Sequence, residues 1–208
     1  MKRCEAFVAL TGACGTGKTT LAYGLKRYYE GEGYQVYVIP EIARVVLEEY
    51  QNQFGNISLQ DLRDSGMYGR FQVDVLRRQI EAEDEAKDFE GIVISDRSIF
   101  DNLLYLLLWC RLPEDGEAYT EYLKTLEERL NSGVPYDLLV HVPPFGRVDR
   151  DGVRDWDAPH QELQDSLLSF LYNTVPKSVY LCTVVEQEPH RRVLEINYFL
   201  KNLVLGVR

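Results

Sequence analysis

The segment that most constrains this chain is a glycine-rich stretch near its start, LTGACGTGKTTL, at residues 10–21. Four residues separate Gly12 from the triplet Gly17-Lys18-Thr19, which is the spacing of a phosphate-binding loop. An apolar run precedes the stretch and an amphipathic helical pattern follows it, as the motif requires. The glycines let the backbone curl so that successive N–H groups and the helix N-terminus surround phosphate oxygens. The motif therefore predicts a nucleoside triphosphate site.

The residues of this loop have distinct expected roles. Lys18 would reach the terminal phosphates, and the Thr19 hydroxyl would bind Mg²⁺. Cys14 is interpreted as a small space-filling residue. ATP and Mg²⁺ are the predicted cofactors. The nucleotide-binding residues predicted in the loop are Gly12, Ala13, Cys14, Gly15, Thr16, Gly17, Lys18, Thr19 and Thr20.

The rest of the chain alternates short apolar runs with helical patterns. This alternation predicts an α/β, three-layer fold with a five-stranded parallel sheet and helices on both faces. The predicted strands are EAFVALT, YQVYVI, GIVIS, DLLVHV and SVYLCTVV. A polar helical stretch at about 59–87 could be interrupted at Gly66 or Gly69. With no repeat or linker, the 208 residues are expected to form one domain, 1–208, with a charged lid at about 143–160.

The composition limits which cellular compartment and which binding partners are expected for this chain. The net charge of -10 argues against broad binding to nucleic acid or anionic membranes. The four cysteines contain no close pair, and the N-terminus lacks a secretory pattern, which favours a cytoplasmic location. The apolar run NLLYLLLWC is too short to span a bilayer. We expect a monomer or a homodimer without membrane contact.

A second motif, VISDRS, places Asp96 at the end of an apolar strand, where ligands gather in parallel sheets. A carboxylate there can hold Mg²⁺, although Asp96 or Ser98 could instead cap the following helix. Arg97 stands where a motor ATPase usually carries a second acidic residue. Its guanidinium is suited to gripping a phosphate or a substrate oxygen. The motif therefore favours phosphoryl transfer to a bound acceptor over hydrolysis.

Other candidate residues lie on the acceptor side. Glu41, in VIPEIAR, ends the second strand and could orient and deprotonate an acceptor hydroxyl, or favour its helix start through the helix dipole. Arg44, one turn later, could hold substrate. Tyr68 and Phe71 could stack on an acceptor base or sugar, or pack in the core. Arg191 and Arg192 follow the fifth strand, and a basic side chain there, such as Arg191, could lie on an adenine ring, with a surface helix charge as the equal alternative.

The charged segment 147–157 contains Arg147, Arg150 and Arg154. Beside a phosphate site, such a segment is typical of a lid whose arginines close over the transferring group, and a solvated surface loop is the alternative. The predicted catalytic residues are Lys18, Glu41, Asp96, Arg97, Arg150 and Arg154.

Together these stretches resemble a known family. GACGTGKTTL, PEIARVVLEEY, VISDRS and YDLLVHVPPFG with the following DRDGVRDWD are similar to phosphate-loop kinases of the ribosylnicotinamide-kinase-like group. The Asp-Arg-Ser triplet is also similar to motifs of deoxynucleoside and thymidylate kinases. The resemblance implies ATP with Mg²⁺, metal coordination by Asp96, action of Glu41 on the acceptor, and a lid containing Arg150 and Arg154.

The sequence favours a kinase that phosphorylates a hydroxyl of a nucleoside-like small molecule: nicotinamide riboside, a nucleoside or a nucleotide. One alternative is a kinase acting on a nucleic-acid 5′ end or a modified base, which needs a basic groove that the charge does not obviously offer. Another is a regulatory nucleotide-binding protein with slow hydrolysis. Against a GTPase switch, the chain has no Asn-Lys-x-Asp motif and no glycine three residues after Asp96.

Overall fold

The computed structural model describes residues 4–110, 113, 115–144 and 158–207, with the backbone alone for 158–160 and 207. The strands are β1 (Ala6–Thr11), β2 (Val36–Ile39), β3 (Ile92–Asp96), β4 (Leu138–His141) and β5 (Tyr180–Thr183). The helices are α1 (Lys18–Gly31), α2 (Ile42–Phe54), α3 (Leu59–Asp64), α4 (Tyr68–Ala86), α5 (Ile99–Trp109), α6 (Gly116–Ser132), α7 (Ala158–Leu171) and α8 (Pro189–Phe199).

The five strands form one parallel sheet in the order β2-β3-β1-β4-β5, which confirms the predicted architecture. Strand β1 lies in the centre, with Leu10 opposite Asp96 of β3 and Thr11 opposite His141 of β4. The chain places β2 and β3 on one side of β1 and β4 and β5 on the other. The order therefore reverses at the carboxyl end of β1, where open α/β sheets bind ligands.

Alternating residues of the strands supply two cores. Phe7, Val93 and Leu139 face one side and pack with apolar residues of α2, α4, α5 and α6. Their neighbours Val8 and Ile94 face the other side and pack with α1 and α8. This period of two is the reason that each central strand consists almost entirely of apolar residues. Helices thus cover both faces of the sheet, as predicted.

The polar helical stretch is interrupted at Gly66 and not at Gly69. Gly66 has φ +72°, a conformation that favours glycine, and it separates α3 from α4. Gly69 lies inside α4, where its N–H donates to the Asp115 carboxylate at 3.0 Å. The break matters for the site because it turns α4 so that Tyr68 and Phe71 face inwards, with 2% and 1% of their surfaces exposed.

The predicted lid lies mostly outside the described residues. Arg147, Arg150 and Arg154 belong to residues 145–157, which are not described, and the end of the predicted range, 158–160, forms the first turn of α7. Within the described part of the chain, no helix combines the length and the apolar composition needed to cross a membrane.

Candidate active site

The glycine-rich loop connects β1 to α1 at the central point of the sheet. Gly12 has φ +153°, and a Cβ atom there would lie 2.3 Å from the carbonyl oxygen of Val142. Only glycine fits that approach. The Gly12 N–H donates to Asp101 Oδ1 at 3.1 Å, so a buried carboxylate of α5 fixes the start of the loop.

Lys18, the first residue of α1, lies inside the curl of the loop and is 5% exposed. Its Nζ donates to the carbonyl oxygens of Gly12 at 2.9 Å and Ala13 at 2.7 Å. Burial and the neighbouring positive charge of Arg97 lower the pKa of Lys18 to about 8, against the opposing effect of nearby carboxylates. The ammonium is therefore mostly charged at neutral pH, and its third hydrogen bond goes to Thr16 Oγ1 at 3.3 Å.

Thr19 and Asp96 form the predicted metal-binding pair. The Thr19 hydroxyl donates to Asp96 Oδ2 at 2.5 Å. Burial raises the pKa of Asp96, although the Thr19 hydrogen bond and the charges of Arg97 and Lys18 oppose the rise. A buried carboxylate beside a hydroxyl suits a hard cation such as Mg²⁺. Among the described residues no group of three or more His, Cys, Asp or Glu side chains could hold a metal.

Glu41 and Arg97 form a buried ion pair beside the loop. Arg97 Nε and Nη2 each lie 2.8 Å from Glu41 Oε1, and Arg44 Nε donates to Glu41 Oε2 at 2.7 Å. Burial alone would raise the pKa of Glu41, but the charges of Arg97 and Arg44 outweigh it and lower the pKa to about 2. Burial works against the charge of Arg97, and the nearby carboxylates raise its pKa well above the usual value. Both side chains are charged at neutral pH.

The backbone of Arg97 is strained in support of this pair. Its φ of +113° is rare for a residue with a side chain, and such outliers concentrate at functional sites. The Ser95 hydroxyl donates to the Arg97 carbonyl oxygen at 2.7 Å and helps to hold the conformation. Sequence reasoning expected Arg97 to grip a phosphate or substrate oxygen. The structure pairs the guanidinium with Glu41 and places it 3.7 Å from Asp101 Oδ1. A contact of Arg97 with phosphate or substrate stays a prediction.

The structure also resolves which residue caps α5. Ser98 is the N-cap and forms a capping box with Asp101. The cap alternative for Asp96 is therefore wrong, because its side chain is engaged with Thr19. For Glu41, the backbone does occupy the N-cap position of α2, but its side chain makes no capping hydrogen bond and is directed to the two arginines.

Two adjoining pockets open at this edge of the sheet. We call the first the phosphate pocket, and it is lined by Gly15, Thr16, Gly17, Lys18, Thr19, Thr20, Glu41, Asp96 and Arg97. We call the second the acceptor pocket, and its lining includes Cys14, Glu41, Arg44, Leu47, Leu59, Arg63, Tyr68, Phe71, Gln72, Arg97, Asn102, Tyr105, Trp109 and Gln164. Glu41 and Arg97 line both pockets, so their ion pair forms the boundary between them.

The acceptor pocket contains four aromatic side chains among charged, polar and aliphatic ones. Tyr68, Phe71, Tyr105 and Trp109 line it, and the guanidinium of Arg63 lies 3.9 Å from the centroid of the Trp109 ring. Tyr68 and Phe71 also belong to the core on that side of the sheet, so the structure is compatible with both sequence interpretations. The pocket contains about 710 Å³ of empty space, including solvent at its mouth.

The two arginines after β5 have different positions. Arg191 is exposed and borders a shallow hollow with Glu186 and Leu194. Arg192 is 8% exposed, and its Nη1 donates to the carbonyl oxygen of Thr16 at 3.1 Å. Arg192 is therefore the member of the pair that contacts the phosphate loop. The contact of Arg191 with a nucleotide base stays a prediction.

Several site residues were missed at the sequence level. Asp101 has a sequence signal, since Ser98-x-x-Asp101 is a capping-box pattern, but nothing local shows that its second oxygen reaches Gly12. No local signal identifies the remaining ones, because helices distant in sequence bring them to the site. They are Arg63, Gln72, Asn102, Tyr105, Trp109, Gln161 and Gln164.

The glycine-rich loop, the paired Thr19 and Asp96, and the sheet order define the class of P-loop nucleotide-binding proteins. A family model described as AAA domain matches residues 7–192, and the chain belongs to that family. No curated protein matches the sequence.

Solved structures share the fold. NadR in complex with NAD and AMP-PNP superposes with a TM-score of 0.60 at 20% identity, covering 98% of this chain and 50% of NadR. NadR in complex with NR gives 0.61 at 20% identity, covering 98% and 52%. Deoxyadenosine kinase from M. mycoides gives 0.62 at 14% identity, covering 97% and 100%. The chain thus spans about half the length of the NadR chains.

Proposed function

We propose that this chain is an ATP-dependent kinase that transfers the γ-phosphate to a hydroxyl of a nucleoside-like small molecule. One observation carries the proposal: the phosphate pocket and the acceptor pocket meet at the Glu41–Arg97 ion pair. A carboxylate at that boundary faces the place where an acceptor hydroxyl would meet the terminal phosphate. Proximity of this kind is the main requirement of phosphoryl transfer.

The character of the acceptor pocket supports a nucleoside-like ligand. Its four aromatic side chains offer faces on which a planar ring can stack. Buried amide side chains, Gln72 and Asn102, add hydrogen-bonding groups to the lining. Structures with the same fold contain ligands of this class, since one NadR structure holds NR and the deoxyadenosine kinase structure holds dCMP and dCDP.

The residues at the boundary suggest a division of roles in the transfer. The loop amides and Lys18 would bind the phosphates, and Thr19 and Asp96 would hold Mg²⁺, which neutralises phosphate charge when bound. Glu41 would accept a hydrogen bond from the acceptor hydroxyl and orient its oxygen. The acceptor O–P bond forms as the bond from the γ-phosphorus to the bridging oxygen of ADP breaks.

In this scheme the hydroxyl proton passes to the Glu41 carboxylate. A pKa of about 2 makes Glu41 a weak base in the free protein, so orientation of the hydroxyl is its larger contribution. A loose transition state is compatible with a weak base, because bonding to the acceptor oxygen is little advanced there. Arg97 keeps the carboxylate charged and fixed in place.

The test is an ADP-release assay with purified protein, ATP, Mg²⁺ and a panel of acceptors. The panel contains nucleosides, nucleotides, nicotinamide riboside and oligonucleotides, with Lys18→Ala as the inactive control. We expect slow release with ATP alone and strong stimulation by one small-molecule class, with a phosphorylated product seen by mass spectrometry. Stimulation by oligonucleotides alone would indicate a nucleic-acid kinase. Nucleotide binding without stimulation by any acceptor would favour a regulatory protein.

A further inference from the structure

Two glutamines of helix α7 form hydrogen bonds with the backbone of Cys14 in the phosphate loop. Gln161 Nε2 donates to the carbonyl oxygen of Cys14 at 2.7 Å, and the N–H of Cys14 donates to Gln164 Oε1 at 2.8 Å. The two glutamines are 5% and 1% exposed. Their spacing of three residues places both on one face of the helix. Both backbone polar groups of Cys14 are thus engaged by side chains 147 and 150 residues away in sequence.

These contacts complete a division within the loop. In its first part, the Gly12 N–H is held by Asp101, and the carbonyl oxygens of Gly12 and Ala13 accept from Lys18. Cys14 is held by the two glutamines. The phosphate pocket is lined by the second part, residues 15–20. Residues 12–14 therefore form an anchored part of the loop, and the part that lines the phosphate pocket is tied to it and to α8 at Thr16, whose hydroxyl donates to the Ala13 carbonyl oxygen and whose carbonyl oxygen accepts from Arg192.

We propose that Gln161 and Gln164 are positioning residues for nucleotide binding. They fix the Cys14 backbone, and the anchored part in turn presets the direction of the N–H groups at residues 15–19. N–H donors that already point towards the phosphate site need not reorganise when phosphate binds. Binding then costs less free energy, and the affinity is higher. The inference rests on the proposed function only in that a nucleotide occupies the phosphate pocket. It does not depend on the identity of the acceptor or on transfer.

The two parts of the loop can be compared by measuring amide hydrogen exchange of the wild-type protein. The exchange is measured by NMR with and without AMP-PNP and Mg²⁺. We expect the Cys14 amide to be protected in both states, because Gln164 accepts it. The amides of residues 15–18 should gain protection only with nucleotide. A Cys14 amide that exchanges rapidly until AMP-PNP is added would overturn the proposal, since it would then act as a phosphate ligand.

Substitution measures the effect on affinity. Gln161→Met and Gln164→Met keep side-chain length but remove the donor and the acceptor, and each should weaken AMP-PNP binding about fivefold or more. The matched control is Gln51→Met, which removes a 3.0 Å bond from Gln51 Nε2 to the Ile57 carbonyl oxygen, a contact outside both pockets. The control should lower the unfolding temperature without changing affinity.

Unchanged affinity in both folded α7 variants would mean that the glutamines only stabilise the fold, and the proposal would fail. If a variant does not fold, the exchange pattern of the wild type still decides. Because AMP-PNP binding is measured without an acceptor, failure here leaves the acceptor screen unaffected. A negative acceptor screen likewise leaves this result standing.

Discussion

The phosphate pocket and the acceptor pocket share Glu41 and Arg97, but their other residues come from different parts of the chain. The phosphate pocket is made largely from one continuous segment, residues 15–20, whose backbone carries the binding groups. The acceptor pocket is made from side chains of α2, α3, α4, α5 and α7, with Arg63, Phe71 and Trp109 among them. One site is local in sequence and the other is assembled by the fold.

This difference has a physical consequence for specificity. Backbone N–H groups recognise phosphate in any nucleotide, because they read charge and geometry and not the base. An aromatic pocket discriminates by shape, and one exchanged side chain changes what fits. In the proposed kinase, the phosphate pocket therefore sets the reaction class and the acceptor pocket selects the substrate. Variants that affect one pocket and leave the other unchanged test whether the two pockets have these separate roles.

The largest effect is expected from Lys18→Ala. Loss of the ammonium inside the loop should lower turnover by about 1000-fold, the upper range for removal of a positioned electrostatic group. The fold should survive, because the substitution removes a buried charge and no apolar contact. Turnover is measured by ADP release and folding by thermal unfolding. The matched control is Lys26→Ala, an exposed lysine of the same helix, and wild-type turnover in Lys18→Ala would refute the phosphate-loop assignment.

Asp96→Asn should lower the rate by roughly 100-fold, the scale of lost metal or electrostatic stabilisation. An amide oxygen is a weaker Mg²⁺ ligand than a carboxylate, so part of the loss should be recovered at high Mg²⁺. A Mg²⁺ titration of the initial rate makes the measurement, with Asp88→Asn as an exposed control. A normal rate at ordinary Mg²⁺ would remove the metal role from Asp96.

Glu41→Gln separates the two pockets. The acceptor-stimulated rate should fall by about 100-fold or more, because general-base and orienting help is typically of that size. The nucleotide Kd should change little, since the loop amides and Lys18 remain. Glu49→Gln on the same helix is the matched control, because Glu49 also pairs with an arginine, Arg78, at 2.6 Å. Weaker ATP binding with an unchanged stimulated rate would contradict the role given to Glu41.

The same contrast explains what the sequence predicted and what it did not. The loop and β1 were predictable because Gly12, Lys18 and Thr19 have the spacing of a phosphate-binding loop, and the end of β3 was marked by Asp96 after an apolar strand. The metal role of Thr19 and Asp96 stays a prediction. The strand order was not predicted, although it follows general rules of α/β topology. Tyr68 was a predicted site residue, but Arg63, whose guanidinium lies between the rings of Tyr68 and Trp109 at 5.3 and 3.9 Å, was not, because only the fold brings α3 beside α4 and α5.

The role of Arg97 shows a second limit. Its residue type and position suggest a direct contact with phosphate or substrate, which stays a prediction, but they gave no sign of its ion pair with Glu41, the N-cap residue of α2. An arginine pairs with the best-placed anion, and the position of Glu41 relative to Arg97 depends on the pairing of β2 with β3. A linear pattern cannot supply that distance. The same holds for Gln161 and Gln164, which reach Cys14 only because α7 packs beside the loop.

A pH titration should show a smaller effect in the phosphate pocket. Lys18 has a pKa of about 8 in the nucleotide-free protein, and bound phosphate favours its charged form. Affinity for AMP-PNP should therefore be constant below pH 8 and fall as the pH rises, by up to about tenfold per unit. Calorimetry in two buffers would count the proton taken up on binding. Lys18→Arg, which stays charged, should lack the fall, and constant wild-type affinity to pH 9.5 would contradict the lowered pKa.

The smallest effect is expected from the two arginines after β5, which form a matched pair of neighbours. Arg192→Ala removes the bond from a buried guanidinium to the Thr16 carbonyl oxygen and should weaken nucleotide binding roughly three- to tenfold. It should also lower the unfolding temperature, because Arg192 additionally donates to the carbonyl oxygens of Glu186 and Gln187. Arg191→Ala, at an exposed position, should leave stability unchanged.

The nucleotide Kd of Arg191→Ala then decides its predicted contact with the base. If Arg191 lies on an adenine ring, its loss should weaken ATP binding more than binding of inorganic triphosphate, which has no ring. Equal effects on both ligands, or none, would assign Arg191 to the surface. In either case Arg192→Ala should weaken the binding of ATP and of inorganic triphosphate equally, because Arg192 acts through the loop backbone. The phosphate pocket would then be supported from β1, α5, α7 and α8, whereas the acceptor pocket would retain its affinity for substrate in both variants.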